Sequence, residues 1–197
     1  MATTARDLEF LFELGSLGPM PRGWRQHLGM ECASVLEHTM RVVFLALLIA
    51  RREGGCDEAK VMKMALLHDL AESRTSDLSY IQKVYVAADE PRAAGDLFAG
   101  TAWEDFRALH EEYEGRKSRE AKVVKDADNL DVDFELKELA ERGSQLPAKW
   151  RHFRQKIRDE KLYTQAAKEL WDRMQTADPA AWHLTANKWL KLPNAGR

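Results

Sequence analysis

An adjacent histidine and aspartate, His68 and Asp69, lie in an otherwise apolar stretch, with Glu72 three residues beyond the pair. Apolar residues recur at helical spacing around them, so we expect a largely buried helix from Asp57 to about Ser73. A buried imidazole and carboxylate cost free energy unless they are paired, hydrogen-bonded or bound to a cation. The helix would place His68 and Glu72 on one face, with Asp69 about 100° round the axis. These three residues either form part of a cation site, or His68 is a core histidine with local hydrogen bonds.

Two more polar residues fall on helices that are otherwise apolar. His38 comes thirty residues before the His-Asp pair, and Asp128 follows it by about sixty. Ser34 and Glu37 have the spacing of a capping box, which predicts that a helix begins there and that His38 faces inward from its first turn. A carboxylate among apolar neighbours, as at Asp128, also needs a partner.

The elements that must position these residues are all predicted to be helices. No segment has the alternating pattern of a strand or the turn residues of a hairpin. A length of 197 residues suits one domain with one core. We therefore expect an all-α protein of six to eight helices, a bundle spanning residues 1–197. The polar residues would lie within about 18–142, and C-terminal helices within about 148–190. The other predicted helices are 7–14, 34–52, 101–114, 118–142, 148–175 and 178–190.

Charge and composition exclude several classes of function. The formal net charge of −2 and the sequence pI near 6.3 give no overall attraction to nucleic acid or to an anionic membrane. The basic run at 149–161 fits an amphipathic helix with a solvated face better than a nucleic-acid site. No apolar run approaches a membrane span. Cys32 and Cys56 have no metal-type pairing, so we expect reduced thiols in a cytoplasmic protein without a membrane segment.

Several bulky or titratable residues are assigned no chemistry. Three histidines lack neighbours that could act as ligands, and we expect them to be at the surface or partly packed. Four tryptophans in the C-terminal helices are expected in the core or in a subunit interface. These residues are His110, His152 and His183, and Trp150, Trp171, Trp182 and Trp189.

The order of His38, His68, Asp69 and Asp128 along the chain resembles the H…HD…D pattern of the HD-domain metal-dependent phosphohydrolases. Surrounding segments, which together cover roughly 18–131, are similar to the small 5′-deoxynucleotidases of that superfamily. The resemblance implies a helical fold, a homodimer and one divalent ion held by these four residues. The similar segments are PRGW at 21–24, SVLEHTMRV at 34–42, HDLAESRTSD at 68–77 and EEY…EAKVVKDADNLD at 111–131.

Two imidazoles and two carboxylates form a mixed nitrogen and oxygen ligand set. Such a set suits one divalent transition metal, namely Mn, Co, Fe, Ni or Zn. It suits Mg less, because Mg prefers oxygen ligands and several waters. Four protein ligands leave positions for water and for a phosphate oxygen, and the ion would polarise both. Glu72 would then take a proton from the water. The alternative for Glu72 is a surface carboxylate at a helix end.

The resemblance also implies substrate contacts for three residues. Arg22 would give phosphate a forked, permanently charged donor, and Trp24 would give a base or sugar a flat apolar face. The alternative is a loop arginine beside a core tryptophan. Asp77 would recognise the sugar near the metal, and its alternative is a turn aspartate. The sequence departs from the family pattern at Ala33, at 76–79 and over 84–100, so we expect the substrate wall to differ while the ligands are intact.

The leading hypothesis is therefore a phosphomonoesterase that acts on nucleoside 5′-monophosphates, with deoxyribonucleotides favoured by resemblance alone. One alternative is an HD-type triphosphohydrolase, because the divergent segment 75–100 could admit a longer phosphate chain. It would release tripolyphosphate instead of orthophosphate. A second alternative is a non-catalytic helical module that senses nucleotides, although such a module does not need Glu72. Dinuclear phosphodiesterases and guanosine-tetraphosphate hydrolases are disfavoured, because their residues after the HD pair differ from Ala71, Glu72 and Ser73.

Overall fold

The computed structural model describes residues 4–185, and within them it contains helices and one isolated β-bridge but no strand. Eight helices in this part of the chain have nine residues or more, and four are single turns. The predicted all-α bundle is therefore confirmed. No described helix is both long and apolar enough to cross a bilayer. The helices are α1 (Thr4–Gly15), α2 (Arg25–Leu28), α3 (Val35–Glu53), α4 (Glu58–Leu67), α5 (Glu72–Thr75), α6 (Gln82–Tyr85), α7 (Glu90–Phe98), α8 (Phe106–Gly115), α9 (Arg119–Glu141), α10 (Leu146–Glu160), α11 (Gln165–Met174) and α12 (Ala181–Thr185).

Helices α3 and α9 form the centre of the fold, and α4, α8, α10 and α11 also pack against α9. Each of the two central helices begins where the sequence predicts. Ser34 and Glu37 form a complete capping box before α3, and the Ser118 side chain accepts from the backbone N–H of Ala121 before α9. Buried apolar side chains of α3, α4, α9 and α11 fill the space between them. The inward face of α3 therefore brings His38 up against α9.

The helix that carries the His-Asp pair ends earlier than predicted. Helix α4 stops at Leu67, residues 68–71 form turns, and Glu72 begins the short helix α5. Nδ1 of His68 donates to the Ala65 carbonyl oxygen at 2.8 Å, which takes an acceptor that a continuing α-helix would use. The N–H groups of Leu70 and Glu72 instead bond three residues back, as in a 3₁₀ turn. The prediction of one continuous helix to residue 73 is thus wrong.

The predicted single helix 148–175 is also wrong, because it is two helices, α10 and α11. A buried carboxylate on α9 fixes the break between them. Asp126 accepts from the backbone N–H groups of Tyr163 and Thr164, each at 2.8 Å, and from the Thr164 hydroxyl at 2.7 Å. Thr164 in turn caps α11. A tertiary contact between residues almost forty positions apart therefore decides where the helix ends.

Other predicted boundaries differ less. The helix predicted from residue 101 begins only at Phe106, and the poorly matched segment 84–100 contains α7. The last predicted helix, 178–190, is present as α12, and its residues beyond 185 lie outside the described part of the chain.

A second acidic residue of α9 also binds the C-terminal helices. Asp133 lies seven residues after Asp126 and therefore on the same face of α9. It accepts two hydrogen bonds from Arg154 of α10, at 2.8 and 2.6 Å. Arg154 also donates to the Asn129 carbonyl oxygen at 2.7 Å and lies 3.3 Å from the Tyr80 hydroxyl. One face of α9 thus carries two carboxylates that dock α10 and α11.

Candidate metal centre

The four residues predicted as metal ligands meet at one point between α3, α9 and the turn after α4. His38 lies on α3, His68 and Asp69 in the turn, and Asp128 on α9. One ligand atom from each lies within 4.8 Å of all the others. Nε2 of His38 is 3.2 Å from Nε2 of His68 and 3.3 Å from Oδ2 of Asp69 and from Oδ1 of Asp128. Three separate segments of the chain therefore supply four donor atoms to a single small volume.

The orientation of the two imidazole rings fits a cation in that volume. Nδ1 of His38 donates to Oδ2 of Asp131 at 2.6 Å, and Nδ1 of His68 donates to the Ala65 carbonyl. Both acceptors lack hydrogen, so Nδ1 carries the proton in each ring and Nε2 offers a lone pair. Two lone pairs 3.2 Å apart repel each other unless a positive charge lies between them. The donor set therefore fits a divalent cation.

The electrostatics of the cluster also favour a positive charge there. Burial and Arg22 lower the pKa of His38, but hydrogen bonds to Asp128, Asp131 and Asp69 outweigh them and hold it well above its ordinary value. Nε2 of His38 therefore carries a proton when no cation is bound, and it offers its lone pair only when a cation replaces that proton. Burial raises the pKa of Asp69, but the neighbouring His68 and His38 outweigh burial and lower it well below its usual range. Asp69 thus remains a carboxylate, the form in which it could bind a cation.

Arg22 links the predicted metal ligands to the segment after α5. Its Nη1 lies 3.2 Å from Oδ2 of Asp69, and its Nε lies 3.2 Å from Oδ2 of Asp77. The same Asp77 oxygen accepts from the backbone N–H of Gly23 at 3.1 Å. A Cβ atom added at Gly23 would lie 2.2 Å from the Asp77 carbonyl oxygen. Only glycine therefore allows these two segments to approach so closely and hold Arg22 beside the ligands.

Glu72 is buried near the same group of charges, with only 8% of its surface exposed. One of its carboxyl oxygens, Oε2, is buried and makes no hydrogen bond within the described chain. Burial, followed by the charges of Asp69 and Asp77, raises the pKa of Glu72 to about 10. The side chain can thus hold a proton at neutral pH, which excludes the alternative of an ordinary surface carboxylate.

Trp24 lies between an apolar cluster and the guanidinium group of Arg22. It is half-buried and packs against the apolar cluster that includes Leu28, Leu136 and Leu139. The centre of its ring lies 5.8 Å from the guanidinium carbon of Arg22. A cavity of about 500 Å³ opens beside Arg22 and Asp77, but Trp24 does not line it. The cavity is lined by Pro21, Arg22, Gly23, Arg25, Gln26, Gly29, Met30, Glu31, Asp77 and Gln82.

Some residues at the centre were given no role by the sequence reasoning. Asp131 and Lys125 each contact a predicted ligand. Asp131 accepts a hydrogen bond from His38, and Nζ of Lys125 lies 2.7 Å from Oδ2 of Asp128. Their spacing of three residues on either side of Asp128 was the available sign, because such residues share a helix face. His110 was expected to be at the surface or partly packed, and this is wrong, because it is buried, with 2% of its surface exposed. Trp171 is buried as expected, whereas Trp182 is exposed, and Trp189 lies outside the described residues.

The fold and the donor set together define an all-helical domain built around an H…HD…D site. Residues 14–177 match the family model of the HD domain, so the chain belongs to that family. It is 34% identical over 142 residues to the 5′-deoxynucleotidase HDDC2 of Danio rerio, covering 68% of this chain and 70% of that protein. Identity to the HDDC2 protein of Dictyostelium discoideum is 30% over 156 residues, covering 72% and 82% of the two. The predicted family is therefore confirmed.

A solved structure supports the same conclusion about the fold. A conserved hypothetical protein from Pyrococcus furiosus superposes with a TM-score of 0.74 and 26% identity, covering 86% of this chain and 99% of that one. The matched share of the chain is larger than the segments similar in sequence motifs, which cover roughly 18–131.

Proposed function

We propose that this protein is a metal-dependent phosphohydrolase that removes phosphate from nucleoside 5′-monophosphates, with deoxyribonucleotides as the preferred class. The observation that carries the proposal is the convergence of four ligand atoms beside a buried arginine and a protonatable glutamate. The names of the relatives in Danio rerio and Dictyostelium discoideum give the same activity.

The metal would be held by His38, His68, Asp69 and Asp128. A mixed nitrogen and oxygen set favours Mn, Co, Fe, Ni or Zn over Mg. When bound, such an ion supplies Lewis acidity toward a phosphate oxygen and toward water.

The chain's own residues perform the remaining tasks. Arg22 uses Nη1 and Nε for Asp69 and Asp77, which leaves Nη2 for a phosphate oxygen. A cation bound nearby would lower the raised pKa of Glu72, because a positive charge favours the carboxylate. Glu72 would then take a proton from the attacking water, whose oxygen forms the new bond to phosphorus as the bond to O5′ breaks. The same carboxyl returns the proton to O5′, so that nucleoside and orthophosphate leave. Asp77, fixed by Gly23, would contact the sugar, and Trp24 would contribute its exposed part to the wall.

Two further properties belong to the proposal. We infer a homodimer, which the resemblance to the family implies, and a cytoplasmic location, which the reduced cysteines favour. Size-exclusion chromatography with light scattering tests the dimer.

Phosphate release from a panel of ribo- and deoxyribonucleoside mono- and triphosphates tests the activity. The metal-stripped protein is given Mn, Co, Ni, Zn or Mg in turn. Glu72→Ala and Asp69→Ala should both lose the activity, whereas Glu104→Ala, at an exposed position, should keep it. Loss at Glu72 of about 10²-fold or more is expected for a general acid–base group. Tripolyphosphate as the product would support the triphosphohydrolase, and nucleotide binding without turnover would support the sensing module.

A further inference from the structure

The two imidazoles of the candidate centre are held in place by different kinds of partner. His68 donates from Nδ1 to a backbone carbonyl, that of Ala65, at 2.8 Å. His38 donates from Nδ1 to a side chain, the Asp131 carboxylate, at 2.6 Å. The orientation of His68 is therefore built into the backbone, whereas that of His38 depends on one replaceable residue.

Asp131 is itself contacted by a second charged residue, Arg41. Nε of Arg41 lies 3.3 Å from the second carboxylate oxygen, Oδ1, close enough for an ion pair although not aligned as a hydrogen bond. Nη2 of Arg41 donates to Glu138 at 3.1 Å. Asp131 is almost fully buried, with 2% of its surface exposed. A chain of charged groups thus runs from His38 through Asp131 and Arg41 to Glu138.

A carboxylate in this position has two effects on a ligand. It fixes the orientation of the imidazole ring so that Nε2 faces the cation. It also makes Nε2 more basic, so that this nitrogen donates its electron pair to a metal more strongly. The cost of burying the carboxylate is offset by the hydrogen bond to His38 and by the ion pair with Arg41. Neither effect requires Asp131 to touch the cation or a substrate.

We propose that Asp131 is a positioning residue that sets the affinity of this centre for a divalent metal by holding His38. Arg41 and Glu138 keep Asp131 in place. The proposal rests on the metal centre of the proposed function, but not on the reaction.

The test measures metal affinity directly in the full chain. Co²⁺ binding to the metal-stripped protein is followed by competition with a chromogenic chelator and by the absorption bands of the bound ion. Asp131→Asn and Asp131→Ala should weaken Co²⁺ binding by about 10- to 100-fold, the range for residues that orient metal ligands. A folded Asp131→Asn protein that binds Co²⁺ within twofold of the wild type would overturn the proposal.

The matched control is Asp126→Asn, which makes the same substitution at a buried aspartate of the same helix. Asp126 holds Tyr163 and Thr164, so its replacement should lower stability without changing Co²⁺ affinity. Equal losses of affinity in both variants would show a merely structural effect and count against the proposal.

If the Asp131 variants do not fold, Arg41→Gln replaces them, because Arg41 is partly exposed. It should weaken Co²⁺ binding less than loss of Asp131 would, and an unchanged affinity would contradict the proposal. The Co²⁺ titrations contain no nucleotide, so their outcome does not depend on catalysis. A protein without nucleotidase activity would refute the proposed function, but it would not affect the measured role of Asp131 in metal binding.

Discussion

Replacing Gly23 with alanine tests how closely the loop before α2 must approach the segment after α5. The added Cβ would lie 2.2 Å from the Asp77 carbonyl oxygen and 2.9 Å from the Ser79 nitrogen. Both neighbours are backbone atoms, which cannot rotate away as a side chain would. Ordinary van der Waals contact of a Cβ atom begins at 3.4 Å, so the two segments must separate by roughly 1 Å.

That separation acts on Arg22, the residue immediately before Gly23. Arg22 depends on Asp77, which also accepts the Gly23 N–H, so both contacts lengthen together. A displacement of about 1 Å in a group that positions substrate can cost on the order of 10²-fold in rate. We therefore expect kcat/KM for a deoxynucleoside monophosphate to fall by about 10²-fold. Co²⁺ affinity should change much less, because none of the four ligands lies on the displaced segments.

The assay compares steady-state phosphate release, Co²⁺ affinity and melting temperature for the wild type and Gly23→Ala. Gly15→Ala is the control, because a Cβ there meets nothing within 4 Å. A folded Gly23→Ala enzyme with kcat/KM within threefold of the wild type would refute the reasoning that this contact positions Arg22.

Two further predictions concern stability. Burial raises the pKa of Asp126 to about 6 from 3.8, despite hydrogen bonds from Thr164 and Tyr163 that lower it. The folded state therefore keeps this proton longer than the unfolded state. The resulting stability is complete below pH 3.8 and is lost as the pH rises through 6, by about 3 kcal/mol in total. Chemical unfolding from pH 4 to 7 should show that the free energy of unfolding decreases in the wild type and depends less on pH in Asp126→Asn. The same pH dependence in both proteins would contradict this prediction. Metal removal should also destabilise the fold. At a free metal concentration of 100 Kd, binding contributes about 2.7 kcal/mol, which corresponds to about 5 to 10 °C in a chain of this size. Calorimetry with and without Mn²⁺ should show this difference in melting temperature for the wild type and no difference for Asp69→Ala. An equal shift in Asp69→Ala would show that the metal binds elsewhere.

The sequence was sufficient to predict those features that depend on local pattern. The capping box at Ser34 and Glu37 specifies its own hydrogen bonds, so the start of α3 is predictable within one residue. Polar residues on apolar helices marked His38, His68, Asp69 and Asp128 as groups in need of partners. Their order along the chain resembles the H…HD…D pattern of the family, and that resemblance implied that they form one ligand set.

The features that were missed depend on contacts between distant residues. The early end of α4 depends on the ring orientation of His68, which no periodicity reports. The break between α10 and α11 depends on Asp126, 38 positions before Thr164. Gly23 is required by a backbone segment 54 residues away. Such requirements become visible only when the packing of the helices is known.

The acidic residues of α9 also constrain how this protein can change during evolution. Asp126 and Asp133 dock the C-terminal helices, while Asp128 and Asp131 face α3 from the other side. Insertion or deletion of one residue rotates everything beyond it by about 100°. A change of length between Asp126 and Asp133 would therefore separate the docking face from the metal face. We expect homologues to vary freely in loop length while the number of residues in this stretch of α9 stays constant.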